Sequence, residues 1–255
     1  MRDKVGIVAK ATFLEAVRDR VLLVSAAFAV GMMLFSRVLG WLSLEDTLKM
    51  VQDFSLSGLQ ILALLLAMLV GAQSLAREVE RRTIYTVLSR DCTRTEFVLG
   101  KFAGLVAVTW VVLLAAAALM CGWFLVCGGS VGEAIAAATL GILCEAMVLM
   151  SVARLLGALA NPSIASVGTL AFYIAGHATE ALRELTQGDR AQGLTGVFEI
   201  LYRVVPNLEN VNFINHTTSG RPVVWSQLGL GSLTMLVWTS VFLAGATVLF
   251  RRRQF

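Results

Sequence analysis

Charged residues are scarce in this 255-residue chain. They make up 15% of it, hydrophobic residues make up 57%, and the mean hydropathy is +0.77. A water-soluble domain has too little interior to hide that much apolar surface. The composition therefore argues against a soluble enzyme or binding module and predicts an integral membrane protein.

Motifs that would indicate covalent chemistry or a metal are also missing. The four cysteines, Cys92, Cys121, Cys127 and Cys144, follow no ligand spacing, so they indicate neither a disulfide nor a metal site. There is no H-E-x-x-H or G-x-S-x-G motif, and Gly100-Lys101 lacks the surrounding residues of a phosphate loop. We expect no catalytic residue, metal or cofactor in this chain. No internal repeat of the kind found in many carriers is visible.

Long hydrophobic runs predict an all-α fold with six transmembrane helices. A helix needs about 20 mostly apolar residues to cross about 30 Å of hydrocarbon. The first run continues past Ala27-Phe28-Ala29, which favours an uncleaved first span over a signal peptide. We treat 1–255 as a single transmembrane domain. The predicted spans are 21–40, 55–76, 93–127 with its apolar part at 102–127, 134–153, 163–180 and 226–250.

The distribution of basic residues predicts the orientation, because loops rich in Lys and Arg stay cytoplasmic. The N-terminal 20 residues, the loop at 77–101, Arg154 and the C-terminal triplet 251–253 together hold fifteen of the 21 Lys and Arg residues. All of these fall on one side of a six-span arrangement. We therefore expect both termini in the cytoplasm. The same distribution argues against a nucleic-acid partner.

Two predicted helices lie outside the spans. Residues 4–18 have apolar and charged side chains on different faces, which is typical of a helix at the cytoplasmic interface. Residues 77–92 are predicted to form a charged cytoplasmic elbow that begins with Glu78, Glu80, Arg81 and Arg82. Thr93-Arg94-Thr95-Glu96 matches a capping box, so a new helix is predicted to begin near Thr93 and to continue as span 3. A rigid elbow of this kind could carry force from a soluble partner.

The segment 181–225 is the only sizeable region expected on the extracytoplasmic side of the membrane. Residues 194–205 are apolar apart from Glu199 and Arg203, and Pro206 ends the run. Twelve residues are too few to cross the bilayer, which favours a re-entrant or interfacial half-helix. A polar stretch follows, from Asn207 to His216.

A few polar residues fall inside the predicted spans. Glu145 lies near mid-membrane, where a carboxylate costs about 2.5 to 3.5 kcal/mol on insertion scales, so it should be neutral, paired or facing water. A structural hydrogen bond and a role in transport are both open. His177 and Glu180, three residues apart, could contact substrate or form an interfacial ion pair. Gln60 and Gln73 are expected to bond to neighbouring helices.

The cytoplasmic loop resembles the ABC-2 family of transporter permeases. The stretches Arg82–Arg90 (RTIYTVLSR) and Arg94–Lys101 (RTEFVLGK) are similar to the family's helix that docks on the ATPase and to the run that leads into span 3. The ending FRRRQF is also similar, and Pro206–Asn212 is reminiscent of a subgroup linked to the maturation of copper enzymes. Cys92 stands where members often have Pro, so the turn there can differ. The resemblance implies that ATPase coupling involves Glu78, Glu80, Arg81, Arg82, Thr83, Tyr85, Leu88, Arg90, Arg94 and Glu96.

The resemblance also implies partners and a location. ATP and Mg would be bound by a separate ABC ATPase, a second permease copy would complete the pathway as a homodimer, and spans 2 and 5 would line it. The expected setting is the lipid of a bacterial inner membrane, the expected activity is export, and an extracytoplasmic partner is compatible with segment 181–225. Two alternatives stay open, an ion-coupled secondary carrier using Glu145 and a membrane scaffold that recruits a cytoplasmic partner.

Overall fold

The computed structural model describes residues 4–18, 21–42, 47–74, 93–186, 205–219 and 222–252. Regular structure within these ranges is helical and includes no strand, so the predicted all-α fold is confirmed for them. A π-helical turn, Ala67–Gly71, continues the third helix, and a 3₁₀ turn, Leu208–Val211, precedes the seventh. The α-helices are α1 (Lys4–Val17), α2 (Val21–Leu42), α3 (Thr47–Leu66), α4 (Arg94–Val126), α5 (Glu133–Leu159), α6 (Pro162–Thr186), α7 (Ile214–Ser219) and α8 (Trp225–Arg252).

Five helical stretches of the described chain are long and apolar enough to cross a membrane. They are Leu23–Gly40, Thr47–Ser74, Thr95–Val126, Glu133–Leu159 and Trp225–Phe250. The predicted span 163–180 lies within α6 but is not one of these five, so the count of six is not confirmed. Polar residues such as His177 and Glu180 lower the hydropathy of α6.

The predicted start of α4 is confirmed in detail. Thr93 Oγ1 accepts a hydrogen bond from the Glu96 amide at 3.3 Å, and Glu96 Oε2 accepts one from the Thr93 amide at 2.8 Å. These reciprocal bonds satisfy backbone donors that have no partner inside the helix. Their effect is to fix the residue at which the helix begins.

Helix α5 continues past residue 153, the predicted end of the fourth span, and ends at Leu159. Arg154, which was assigned to a cytoplasmic loop, lies inside this helix and is only 4% exposed. This part of α5 packs closely against the π-helical turn and the residue that follows it. A Cβ on Gly157 would lie 3.0 Å from the Ala72 carbonyl oxygen, and one on Gly71 would lie 2.9 Å from the Ala153 Cβ.

Helix α5 is the centre of the bundle. Its span is 83% buried, whereas the spans in α2 and α8 are only 17% and 22% buried. The order of their contacts along the chain shows that α3 and α8 run parallel to α5, whereas α6 runs antiparallel to it and packs Gly168 against Leu156. The apolar faces of α2 and α8 are therefore left for lipid or for another protein chain.

Helix α1 packs tightly on the first turns of α4. A Cβ on Gly100 would lie 2.8 Å from the Val5 carbonyl oxygen, and one on Gly104 would lie 2.6 Å from the Ala9 carbonyl oxygen. The close approach of the two helices therefore depends on glycine at both positions. Helix α1 and the start of α4 therefore form one packed unit, which is directly connected to the elbow residues 77–92.

The π-helical turn in α3 is bonded to α6. A π turn widens the helix and disturbs its regular hydrogen-bond ladder. Ser166 Oγ donates to the Met68 carbonyl oxygen at 3.1 Å and shares its hydrogen with the Pro162 carbonyl oxygen at 2.9 Å. The turn lies between Gln60 and the elbow along the chain.

Candidate functional site

Residues 205–219, here named the docked segment, enter the bundle between three helices. Asparagine side chains fold the segment locally. Asn207 Oδ1 accepts from the Glu209 amide at 2.9 Å, and Asn212 Oδ1 accepts from the Ile214 amide at 3.2 Å. Such side-chain bonds satisfy backbone groups that a turn would leave unpaired. The apolar side chains of the segment are then free to pack into the core, where Leu208, Val211, Phe213 and Ile214 are all buried.

Three glycines from three helices make room for the docked segment. A Cβ on Gly141 of α5 would overlap the Val211 carbonyl oxygen. A Cβ on Gly231 of α8 would lie 2.6 Å from the Asn210 carbonyl oxygen, and one on Gly176 of α6 would lie 2.6 Å from the Leu208 side chain. A larger residue at Gly141 or Gly231 would meet the backbone of the segment and force it to shift.

The docked segment reaches well into the bundle. Gly141 lies eight residues beyond the start of α5, which corresponds to about 12 Å along the helix at 1.5 Å per residue. This depth brings a side chain of the segment to polar residues of the spans.

Four polar side chains meet where the docked segment contacts the bundle, and we name them the polar cluster: Gln60, Glu145, His177 and Glu209. His177 Nε2 lies 3.0 Å from Glu145 Oε1, and His177 Nδ1 lies 3.0 Å from Glu209 Oε1. Gln60 Nε2 donates to Glu145 Oε2 at 2.9 Å and also lies 3.0 Å from His177 Nε2. The cluster joins α3, α5 and α6 to the docked segment.

Burial in the polar cluster is graded. The side chains of Glu145, His177 and Glu209 are 1%, 17% and 36% exposed. The ring of Tyr173 packs edge-on against that of His177, with 4.6 Å between the ring centroids, and Asn212 Nδ2 donates to Glu209 Oε2 at 2.9 Å. The most buried carboxylate is therefore connected through the imidazole to a partly exposed one.

The arrangement suits proton sharing better than metal binding. Glu145 and Glu209 contact opposite nitrogens of the ring, so the donor atoms do not converge on one point. In the part of the chain that the structure describes, no group of three His, Cys, Asp or Glu residues could hold a metal ion. The contacts of the imidazole each require a hydrogen between nitrogen and carboxylate oxygen.

The structure brings together three of the polar residues singled out in the sequence. Gln60, Glu145 and His177 are in direct contact, which gives Glu145 the partners that the sequence could not name. Gln73 lies further along the chain, beyond the π-helical turn. The side chain of Glu180 is outside the described part, and both ring nitrogens of His177 face other glutamates.

Sequence reasoning missed Glu209, which lies in what was interpreted as a plain polar stretch. One signal was available. Pro206 and Asn207 open a capped turn in which Leu208 and Val211 are three residues apart on one face. The predicted half-helix at 194–205 lies outside the described residues apart from Val205.

The predicted ATPase-coupling residues fall almost entirely outside the described part of the chain. This applies to Glu78, Glu80, Arg81, Arg82, Thr83, Tyr85, Leu88 and Arg90, and to the side chain of Arg94. Glu96 is described, and it closes the capping box at the start of α4. The coupling role of these residues stays a prediction.

Several apolar helices packed around a buried polar cluster are typical of a multi-pass helical membrane protein. The sequence matches the family model for "ABC-2 family transporter protein" over residues 7–255. Because the match covers nearly the whole length, the chain belongs to this family, and the resemblance noted in the cytoplasmic loop is confirmed. No curated protein matches the chain.

Proposed function

We propose that this chain is the transmembrane permease subunit of an ABC exporter, which moves its substrate with ATP hydrolysed by a separate ATPase. The family match over residues 7–255 supports this proposal. The permease would carry out no covalent chemistry. ATP and Mg would be bound by the partner, and movement of the elbow at 77–92 would be passed to the spans on either side of it.

We further propose six spans, with α6 as the fifth. At 25 residues, α6 measures about 37 Å at 1.5 Å per residue, which is enough to cross the hydrocarbon. With six spans, both termini and the elbow lie on the cytoplasmic side of a bacterial inner membrane. The docked segment then enters the bundle from the extracytoplasmic side.

A homodimer is the oligomeric state that we propose. The weakly buried spans of α2 and α8 support it, because they leave broad apolar faces on the single chain. The conduit would form between the two copies, and the polar cluster would lie at the point where the docked segment meets the bundle of each copy.

The observation that carries the permease proposal is a family match that extends through the elbow. It is tested by reconstituting the chain in lipid vesicles with the ATPase that copurifies with it. Reversing the charges of Glu78, Glu80, Arg81 and Arg82 should abolish both copurification and stimulated ATP hydrolysis. The melting temperature of the purified permease should not change.

Glu133→Lys provides a matched control, because Glu133 is an exposed residue in the first turn of α5. In the proposed topology it lies on the membrane side opposite the elbow, so coupling should survive this charge reversal. Full ATPase binding and full stimulation in the elbow variant would contradict the proposal.

An ion-coupled carrier is the second candidate function, and the buried contact between Glu145 and His177 favours it. If the chain is an ion-coupled carrier, substrate flux should persist in vesicles without ATP and should fail in Glu145→Gln. Flux that strictly requires ATP in both the unmodified chain and Glu145→Gln would reject it.

A further inference from the structure

The hydrogens in the polar cluster can be counted from its geometry. Each ring nitrogen of His177 lies 3.0 Å from a carboxylate oxygen, one on Glu145 and one on Glu209. A neutral imidazole has one N–H group and can donate to only one of them. Both contacts are hydrogen bonds only when a second proton is present on the ring or on a carboxylate. The observed geometry therefore corresponds to two protons shared by three groups.

The nitrogen Nε2 of His177 has two neighbours that cannot both be satisfied. Gln60 Nε2 lies 3.0 Å from it and Glu145 Oε1 also lies 3.0 Å from it. When Nε2 carries a proton, it donates to Glu145, and its hydrogen is then repelled by the amide hydrogens of Gln60. When Nε2 has lost its proton, it accepts from Gln60 and its lone pair repels the carboxylate of Glu145. The protonation state of Nε2 therefore determines whether this nitrogen bonds to Glu145 or to Gln60.

The groups around the ring come from each element that packs on this part of α6. Glu145 faces it from α5, Glu209 from the docked segment, and the neutral Gln60 from α3, while Tyr173 lies one turn away on α6 itself. The side-chain exposure rises from 1% at Glu145 to 36% at Glu209. Of the two carboxylates that contact the ring, the one on the docked segment is therefore the more exposed.

We propose that His177 is a proton-binding site whose doubly protonated ring fastens the docked segment to the bundle. The protonated ring donates to Glu145 and Glu209 at once, and each bond joins opposite charges. Loss of one proton leaves a single N–H group, which stays on Nε2 because the buried Glu145 needs a donor more than the partly exposed Glu209 does. The bond to Glu209 is therefore the one that is lost. Docking favours the protonated ring, so the docked state is stabilised at low pH and loosens as the pH rises. This property goes beyond the proposed transport function and requires neither the ATPase nor a substrate.

Amide hydrogen exchange in the full-length chain, reconstituted in lipid nanodiscs, tests the site. Protection of the amides of residues 207–213 would be followed from about pH 5 to about pH 9, a range that brackets ordinary histidine titration. Rates would be corrected for the intrinsic pH dependence of exchange. We expect protection to fall roughly tenfold towards high pH, the effect of losing one charge-assisted hydrogen bond.

Substituting either carboxylate by its amide should remove the pH response without releasing the segment. In Glu145→Gln the new amide group can donate to a neutral Nε2, and in Glu209→Gln it can donate to a neutral Nδ1. A ring with one N–H then satisfies both contacts, so protection should stay high across the whole range. The matched control is Glu133→Gln, on the same helix but exposed at its start, and it should respond to pH like the unmodified chain.

Two results would overturn the proposal. One is protection of residues 207–213 that does not change with pH in the unmodified chain. The other is an unchanged pH response in both Glu145→Gln and Glu209→Gln. Since no nucleotide or ATPase is present, failure here would leave the transport proposal standing, and failure of the flux experiment would leave this one standing.

Discussion

The glycine groove under the docked segment allows a matched pair of substitutions on one helix. Gly231→Ala adds a Cβ that would lie 2.6 Å from the Asn210 carbonyl oxygen, closer than Cβ atoms approach other atoms. Gly229→Ala, two residues earlier in α8, adds the same atom where nothing lies within 4 Å. The two variants have the same chemistry and differ only in what the new methyl group meets.

The expected difference follows from two opposing terms. Alanine in place of a helical glycine stabilises the helix by about 1 kcal/mol, and both variants gain this. Overpacking a well-filled interior costs about 1 to 3 kcal/mol, and Gly231→Ala alone incurs this cost. The opening equilibrium of the docked segment should therefore differ between the variants by roughly 5- to 150-fold.

Hydrogen exchange of residues 207–213 measures this opening directly, because local release of the segment exposes those amides. Gly231→Ala should exchange faster than the unmodified chain, and Gly229→Ala should not. The amides of α1 and α4 act as an internal control for global unfolding and should exchange alike in both variants. Equal exchange of residues 207–213 in the two variants would refute the view that Gly231 makes room for the docked segment.

Two further predictions concern the end of the bundle near the elbow. Gly104→Val should detach α1 from α4 and raise the accessibility of α1 to protease, whereas Gly122→Val on the same helix should not, since nothing lies within 4 Å of Gly122. Equal cleavage of the two variants would be evidence against tight packing. Ser166→Ala should remove the bond to the Met68 carbonyl and destabilise the π-helical turn by about 1 kcal/mol, seen as faster exchange of residues 68–74. The exposed Ser163→Ala is its control, and identical exchange would show that the bond does not hold the turn.

Features that depend on local sequence were predictable. Apolar runs long enough to cross a bilayer force the backbone into helices, because lipid offers no hydrogen-bond partner to peptide groups. The start of α4 was readable for a similar reason, since the capping box uses only Thr93 and the neighbouring Glu96. Family membership was also visible in the short charged loop before α4.

Features that depend on contacts between distant residues could not be predicted from the sequence. Glu145 lies 32 residues from His177 and 85 from Gln60 along the chain, and the sequence contains no signal of their spacing in three dimensions. Glu209 looked like an ordinary polar residue, and Arg154 looked like an exposed residue after the fourth span. The tertiary structure buries Arg154 and brings Glu209 to His177, because packing decides which side chains are removed from water.

The membrane character of this chain was determined by its sequence alone, since hydrophobic length is a property of consecutive residues. The polar cluster was decided only by the tertiary structure. Three glycines on α5, α6 and α8 admit the docked segment, and that close approach brings Glu209 to His177. The physical reason is that a buried charge must find partners, and the fold alone determines which partners are within reach.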